Sequence, residues 1–244
     1  MVAGHCFCSR TDSASSWVRA SIICAASLAA LACSSGGELP TPLVDDGPPK
    51  PPTGNAAKEL KLPFLVDDYF VPNGCYGDGG CAGDVLQIDS HGCDDPPATV
   101  QSVCRVYTYT PLPASDPNHV EYLGVLFQGV GPDGESTIGR VPPLPIHAGA
   151  HRVVFWAKLR SGSRKVEFRV GGANNWMGYT DDALPYKDTF GLPREATLDT
   201  TYQQISIDLS SQSYKEVVSP FGWTMWADGT TDPIALYIAD VRWE

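Results

Sequence analysis

From about Leu60 onward the chain alternates apolar and polar positions with a period of two. "KVEFRVG" sets Val166, Phe168 and Val170 against Lys165, Glu167 and Arg169. "QISIDLS" sets Ile205, Ile207 and Leu209 against Ser206 and Asp208. Successive side chains of a strand point to opposite faces, so each segment predicts a strand with one buried and one wet face. "VCRVYTYT", "EYLGVLFQGV", "HRVVFWAKL", "FGWTMWA" and "IALYIADVRW" predict further strands, being rich in β-branched and aromatic residues. "GPDG", "RSGSR", "VGGANN" and "ADGTTDP" supply turns between them. Only "SSQSYKEVV" has the spacing of a helical turn. Many short strands and almost no helical pattern predict an all-β fold, an antiparallel two-sheet β-sandwich (jelly roll) over residues 60–244.

The pattern stops upstream of Leu60. "SSGGELPTPLVDDGPPKPPTGNAAK" has no periodic apolar face, and its prolines hold the backbone extended, so residues 33–59 read as a linker. Before it, residues 20–32 are uncharged and follow Arg10 and Arg19. A charged start, a short apolar core and small residues at its end describe a secretory signal over residues 1–32. The run is shorter than the roughly 20 residues of a membrane-spanning helix. Leu31-Ala32-Cys33 then places a small residue directly before a cysteine, with Ala30 ahead of it. This junction resembles the lipobox of bacterial lipoproteins, although that family usually has leucine where Ala30 stands. The resemblance implies cleavage before Cys33, lipid on its sulfur and a mature protein tethered to the bacterial cell envelope through lipid alone. An ordinary signal peptide with an incidental cysteine is the alternative. The n-region is long enough for the true start to lie downstream of Met1.

Charge narrows the partners. The chain carries a formal net charge of −11, and removal of the signal region takes away two arginines and only one acid. A phosphate backbone or an anionic headgroup needs a basic face, so nucleic acid and charge-driven membrane adhesion are excluded as partners. Neutral ligands remain. Four of the cysteines, Cys75, Cys81, Cys93 and Cys104, follow the linker. Export places them in an oxidising compartment, and two disulfides are expected there. Neighbour pairing, Cys75–Cys81 and Cys93–Cys104, closes the shortest loops. The spacings lack the tight Cys-x2-Cys knuckles of structural zinc sites.

Four stretches of the domain, "FLVDDYFVPNGCYGD", "AHRVVFWAKLRSGSRKVEFRVGG", "TLDTTYQQISIDLS" and "PIALYIADVRWE", resemble carbohydrate-binding modules of the galactose-binding-like jelly-roll type. The resemblance implies a sandwich that often holds a structural calcium between its first and last strands. Asp67, Asp68 and Asp240 would be its ligands here, since calcium wants several oxygens with carboxylates among them. Ala239 stands where one further carboxylate would be expected. The other reading of these aspartates is that they cap turns and face water.

No G-x-S-x-G, H-E-x-x-H, P-loop or G-x-G-x-x-G signature is present, and the domain reads as non-catalytic. Aromatics carry the ligand expectation. Sugar rings have apolar C–H faces that stack on aromatic rings, while amide and carboxylate groups bind the hydroxyls. Trp176, Tyr179, Asn175, Tyr186, Asp188 and Trp226 lie in or beside Gly/Asn/Asp-rich loops and are the candidate ligand-binding residues. Trp156, Trp223 and Trp243 read as core. The expected partner is a neutral glycan, or alternatively a protein of the cell envelope.

Overall fold

The computed structural model describes residues 59–100, 102–130, 142–173 and 186–244, the side chains of residues 80 and 81 excepted. The expected signal region, Cys33 and almost the whole linker lie outside the described residues, as do Asn175, Trp176 and Tyr179.

Among the described residues thirteen strands follow one another: β1 (Phe64–Leu65), β2 (Val71–Gly77), β3 (Leu86–Asp89), β4 (Cys104–Tyr109), β5 (Tyr122–Gln128), β6 (Leu144–Pro145), β7 (Arg152–Leu159), β8 (Arg164–Gly171), β9 (Gly191–Leu198), β10 (Gln203–Asp208), β11 (Glu216–Val217), β12 (Gly222–Trp226) and β13 (Ile234–Trp243). One sheet has the order β10-β7-β13-β4-β3, with β1 also paired to β13; the other has the order β2-β5-β12-β8-β9. The pairings within both sheets are antiparallel. The protein is therefore the expected all-β, two-sheet sandwich.

Alternation decides which side chains fill the space between the sheets. Val153, Phe155, Ala157 and Leu159 of β7 point inward, as do Val166, Phe168 and Val170 of β8. Phe155 meets Phe168 at 4.6 Å between ring centroids and Phe221 at 4.9 Å. Tyr107 of β4 meets Trp223 of β12 edge to face at 5.0 Å. Trp223 and Trp243 are fully buried, as expected. Trp156 is not: its neighbours Phe155 and Ala157 face the core, so its own ring turns to the outer surface, half-buried.

Two further differences have local causes. "SSQSYKEVV" forms no helical turn; Glu216 and Val217 pair with Pro145 and Leu144 as a short ribbon, while Tyr214 and Val217 bury against the core. "GLPREATL" becomes β9 despite Pro193, because β9 is the edge of its sheet, where a missing N–H costs no ladder bond.

Disulfide Cys93–Cys104 forms as expected and ties the loop before β4 to that strand. Cys75 is disulfide-bonded as well; the side chain of its expected partner, Cys81, lies outside the described residues. A carboxylate makes a comparable tie nearby. Asp78, fully buried, accepts the Tyr109 hydroxyl at 2.5 Å and the backbone N–H groups of Val120, Glu121 and Leu112 at 2.6, 3.1 and 3.2 Å. Burial alone would raise its pKa, but the Tyr109 hydroxyl and the backbone donors outweigh it, and the carboxyl titrates below its ordinary value. A group depressed in this way contributes stability above its unfolded pKa of about 4 and loses it as pH falls through the folded value. Asp78→Asn should cost about 2–3 kcal/mol at pH 7 and flatten the loss of stability towards pH 3. Urea unfolding at both pH values checks this, and a variant as acid-sensitive as the wild type would refute it.

Candidate functional site

Because inward positions are filled by the core, polar chemistry is left to the two outer faces. On the β2-β5-β12-β8-β9 sheet, register lines up Tyr76, Gly124, Thr224, Glu167 and Glu195 in one row across all five strands. One step along, towards the β12 C-terminus, Tyr122 pairs with Trp226 and Lys165 pairs with Thr197. One step in the other direction come Gly74, Leu126, Gly222, Arg169 and Pro193.

The floor of this face is flat because of one glycine. A Cβ on Gly124 would stand 2.2 Å from the Tyr76 ring, so only glycine lets that ring lie against the backbone. The Tyr76 hydroxyl shares a 2.6 Å hydrogen bond with Thr224, and its ring stands 6.4 Å from that of Tyr122. Burial pushes the Tyr76 phenol above its ordinary pKa.

The two ends of the face differ. At the Leu126 end it is covered: Leu126 packs with Ala173, Val218 and Tyr76. Asp188 holds that cover in place. Its two oxygens accept the backbone N–H groups of Val218, Ala173 and Ser219 at 2.7, 2.9 and 3.2 Å. Burial pushes the Asp188 carboxyl up to about 7 against the pull of these donors. Asp188 therefore sits inside, bonded to backbone, and not in a solvent-facing loop where it would meet a hydroxyl. Tyr186, two residues earlier, is exposed.

At the Trp226 end the face is open. A cavity of about 490 Å³ is lined by Ser163, Arg164, Lys165, Glu195, Thr197, Trp226 and Asp228. Trp226 is half-buried in its wall. Arg164 fixes the turn that carries it: Nη1 donates to the Trp226 carbonyl at 2.8 Å, the Ala227 carbonyl at 2.9 Å and the Asp228 carboxylate at 2.7 Å. Lys165 and Glu195 pair at 2.8 Å across the cavity, and Glu167 pairs with Arg169. Glu167 and Glu195 are direct neighbours in register, yet each carries its own cation, so the arrangement is a set of ion pairs and not a pair of free acids.

Of the residues expected from sequence, then, the structure places Trp226 at a cavity, Tyr186 on the surface and Asp188 in a structural role. Tyr76, Tyr122, Lys165, Thr197 and Glu195 were missed. The signal for Lys165 is the outward phase of "KVEFRVG"; Glu195 and Thr197 belong to β9, which the sequence pattern does not show.

The aspartates expected to bind calcium are disposed differently from a metal cage. Asp67 is buried and accepts the Nε and Nη2 groups of Arg105, both at 2.8 Å. Asp240 pairs with Arg242, and Asp68 is exposed. Burial raises the Asp67 carboxyl even against Arg105. Among the described residues no group of three or more His, Cys, Asp or Glu could hold a metal ion. A guanidinium stands at two of the three carboxylates, so this donor set does not fit a resident calcium.

No family model matches the sequence, and no curated protein matches it. Among solved structures the chain is similar to a family 11 carbohydrate-binding module from Clostridium thermocellum in complex with a β-1,3-1,4-mixed-linked tetrasaccharide. Identity is 11% and the TM-score 0.37, covering 72% of this chain and 94% of that one. It is similar also to the family 11 module of the cellulosomal cellulase Lic26A-Cel5E of the same organism, with 12% identity, a TM-score of 0.38 and coverage of 78% and 95%. A mutant family 29 carbohydrate-binding module gives 10% identity, a TM-score of 0.31 and coverage of 72% and 91%. Scores at this level decide neither family nor ligand.

Since a ligand that binds only the native state raises apparent stability, chelator is expected to leave Tm unchanged. A drop in Tm on chelation, reversed by added calcium, would overturn the arginine-neutralised reading of Asp67 and Asp240.

Proposed function

We infer that the chain is a non-catalytic carbohydrate-binding protein whose sandwich takes a neutral glycan at the Trp226 end of the β2-β5-β12-β8-β9 face. The observation that carries this reading is the half-exposed Trp226, fixed by Arg164, in the wall of a cavity with Lys165, Glu195 and Thr197. An indole offers a flat apolar surface to the C–H face of a sugar ring. The ammonium, carboxylate and hydroxyl beside it supply donors and acceptors for the ring hydroxyls. Opposite charges in pairs leave the site without a net preference for an ionic ligand. Trp176, Tyr179 and Asn175, which lie outside the described residues, stay candidate contacts on the sequence alone.

The cellular setting belongs to the same proposal. Residues 1–32 act as a lipoprotein signal, Cys33 receives lipid, and residues 33–59 tether the sandwich to the bacterial cell envelope. Several acyl chains anchor stably where one binds only marginally. Cys33→Ser is expected to abolish metabolic labelling with a radioactive fatty acid and to release the protein from membranes; retention of the variant in the membrane fraction would refute the anchor.

The glycan reading is tested by titrating a panel of neutral oligosaccharides, mixed-linked β-glucan among them, while recording tryptophan fluorescence. Trp226→Ala should abolish the response at modest cost in stability. Trp223→Ala serves as the contrast, since emptying a fully buried site costs about 3–5 kcal/mol. A Trp226→Ala variant that binds like the wild type would sink the assignment.

A further inference from the structure

The opposite outer face carries a second cavity, and its geometry follows from an irregularity in β13. Ala239 pairs with Trp156 and Arg242 with Val154, so Asp240 and Val241 together oppose the single residue Phe155. Val241 turns into the core, 1% exposed. Asp240 takes a left-handed backbone, φ 57°, which a non-glycine residue adopts only at a cost. Its side chain then bounds two cavities at once. One, of about 130 Å³, is lined by Arg152, Val154, Trp156, Gln204, Ser206 and Glu244 together with Asp240 and Arg242. The other, of about 600 Å³, shares Asp240 and Arg242 and reaches Glu59, Asp68 and Tyr69.

The carboxylate of Asp240 is incompletely used. Arg242 donates to Oδ2. Oδ1 is buried and, among the described residues, has no hydrogen-bond partner, in a residue only 7% exposed. A buried acceptor without a donor costs stability, so an unfilled acceptor on a residue that lines two cavities points to a ligand that brings the donor. The charges around it come as two opposite pairs, Arg242 with Asp240 and Arg152 with Glu244. A cation would meet two guanidinium groups and an anion would meet two carboxylates. A neutral ligand with hydroxyl donors meets neither penalty. Across the sheet from Gln204, the half-exposed Trp156 offers a ring surface to such a ligand.

We propose that this cavity is a second carbohydrate site, which holds one neutral sugar residue by hydroxyl donation to Asp240 Oδ1 and stacking on Trp156. Gln204 and Ser206 face the same space and complete the hydroxyl contacts. The site is on the other sheet from Trp226, so the two can fail separately.

The test uses the purified protein and two probes, D-glucose and D-galactose, titrated into the millimolar range while amide and indole N–H resonances are followed by NMR. Saturable shifts at Trp156, Gln204, Ser206 and Asp240 are expected with one or both hexoses. They should persist in Trp226→Ala, weaken about tenfold in Asp240→Asn, which keeps an oxygen but loses the charge, and vanish in Trp156→Ala. Trp156→Leu, which keeps bulk without a ring, replaces that variant should it not fold. Several results would overturn the site: no saturable shift with either hexose, shifts lost in Trp226→Ala but intact in Trp156→Ala, or a response to tetramethylammonium or sulfate and none to the hexoses. Loss of oligosaccharide binding at Trp226 alone would leave this site standing.

Discussion

The contact of Phe155 with Phe168, reinforced by Phe221, lies between the sheets and sets the phase of the strands that carry it. Strand geometry allows no compromise: a residue turned inward turns both neighbours outward. Burying Phe155 therefore places Trp156 on one outer face, and burying Phe168 places Glu167 and Arg169 on the other. Trp223 and Met225 do the same for Thr224 and Trp226. A slip of one residue in β7 or β12 would bury the polar set and expose the aromatic core, which makes these registers strongly specified. Both candidate sites are consequences of one packing decision, although neither touches the core aromatics that enforce it.

Loops need a different restraint, since they carry little apolar surface to bury. Two buried aspartates supply it. Asp78 gathers donors from Tyr109, Leu112, Val120 and Glu121, and Asp188 gathers donors from Ala173, Val218 and Ser219. In each case a carboxylate replaces the ladder that an irregular backbone lacks, and the donors it satisfies would otherwise be buried alone. The two differ in balance. The shared donors win at Asp78 and hold its pKa down, while burial wins at Asp188 and raises it.

Period-two alternation made the sandwich legible in the sequence. The segments "KVEFRVG" and "QISIDLS" became β8 and β10 with the apolar faces inward as expected, although Arg169, on the outward face of β8, is buried too. What stayed illegible depends on contacts distant in sequence. Pro193 disguised β9, because its tolerance is a property of the sheet edge. Asp188 read as a hydroxyl binder, because its backbone donors come from 15 to 31 residues away. Trp156 read as core, although the same alternation that buries Phe155 forbids it. Trp226 was legible as a candidate, beside the turn that "ADGTTDP" announces; Tyr122 and Tyr76 join its face only once β2, β5 and β12 are aligned. The guanidinium partners of the aspartates named for calcium, Arg105 for Asp67 and Arg242 for Asp240, are likewise ones that no local pattern reveals.

The charge of the chain and the charge of its two faces tell different stories. The formal total is −11, which by itself would suggest a field that repels anions and draws in cations. Yet around Trp226 the ionised groups come in pairs, Lys165 with Glu195, Arg164 with Asp228 and Arg169 with Glu167. Around Trp156 they do so again, Arg152 with Glu244 and Arg242 with Asp240. The ion pairs named around the two aromatic rings therefore add no surplus of either sign there. Close opposite pairs cancel at a distance of a few ångströms while leaving individual donors and acceptors in place. Such a surface discriminates poorly by ligand charge and well by the positions of hydroxyl groups, which is the chemistry that separates one neutral sugar from another.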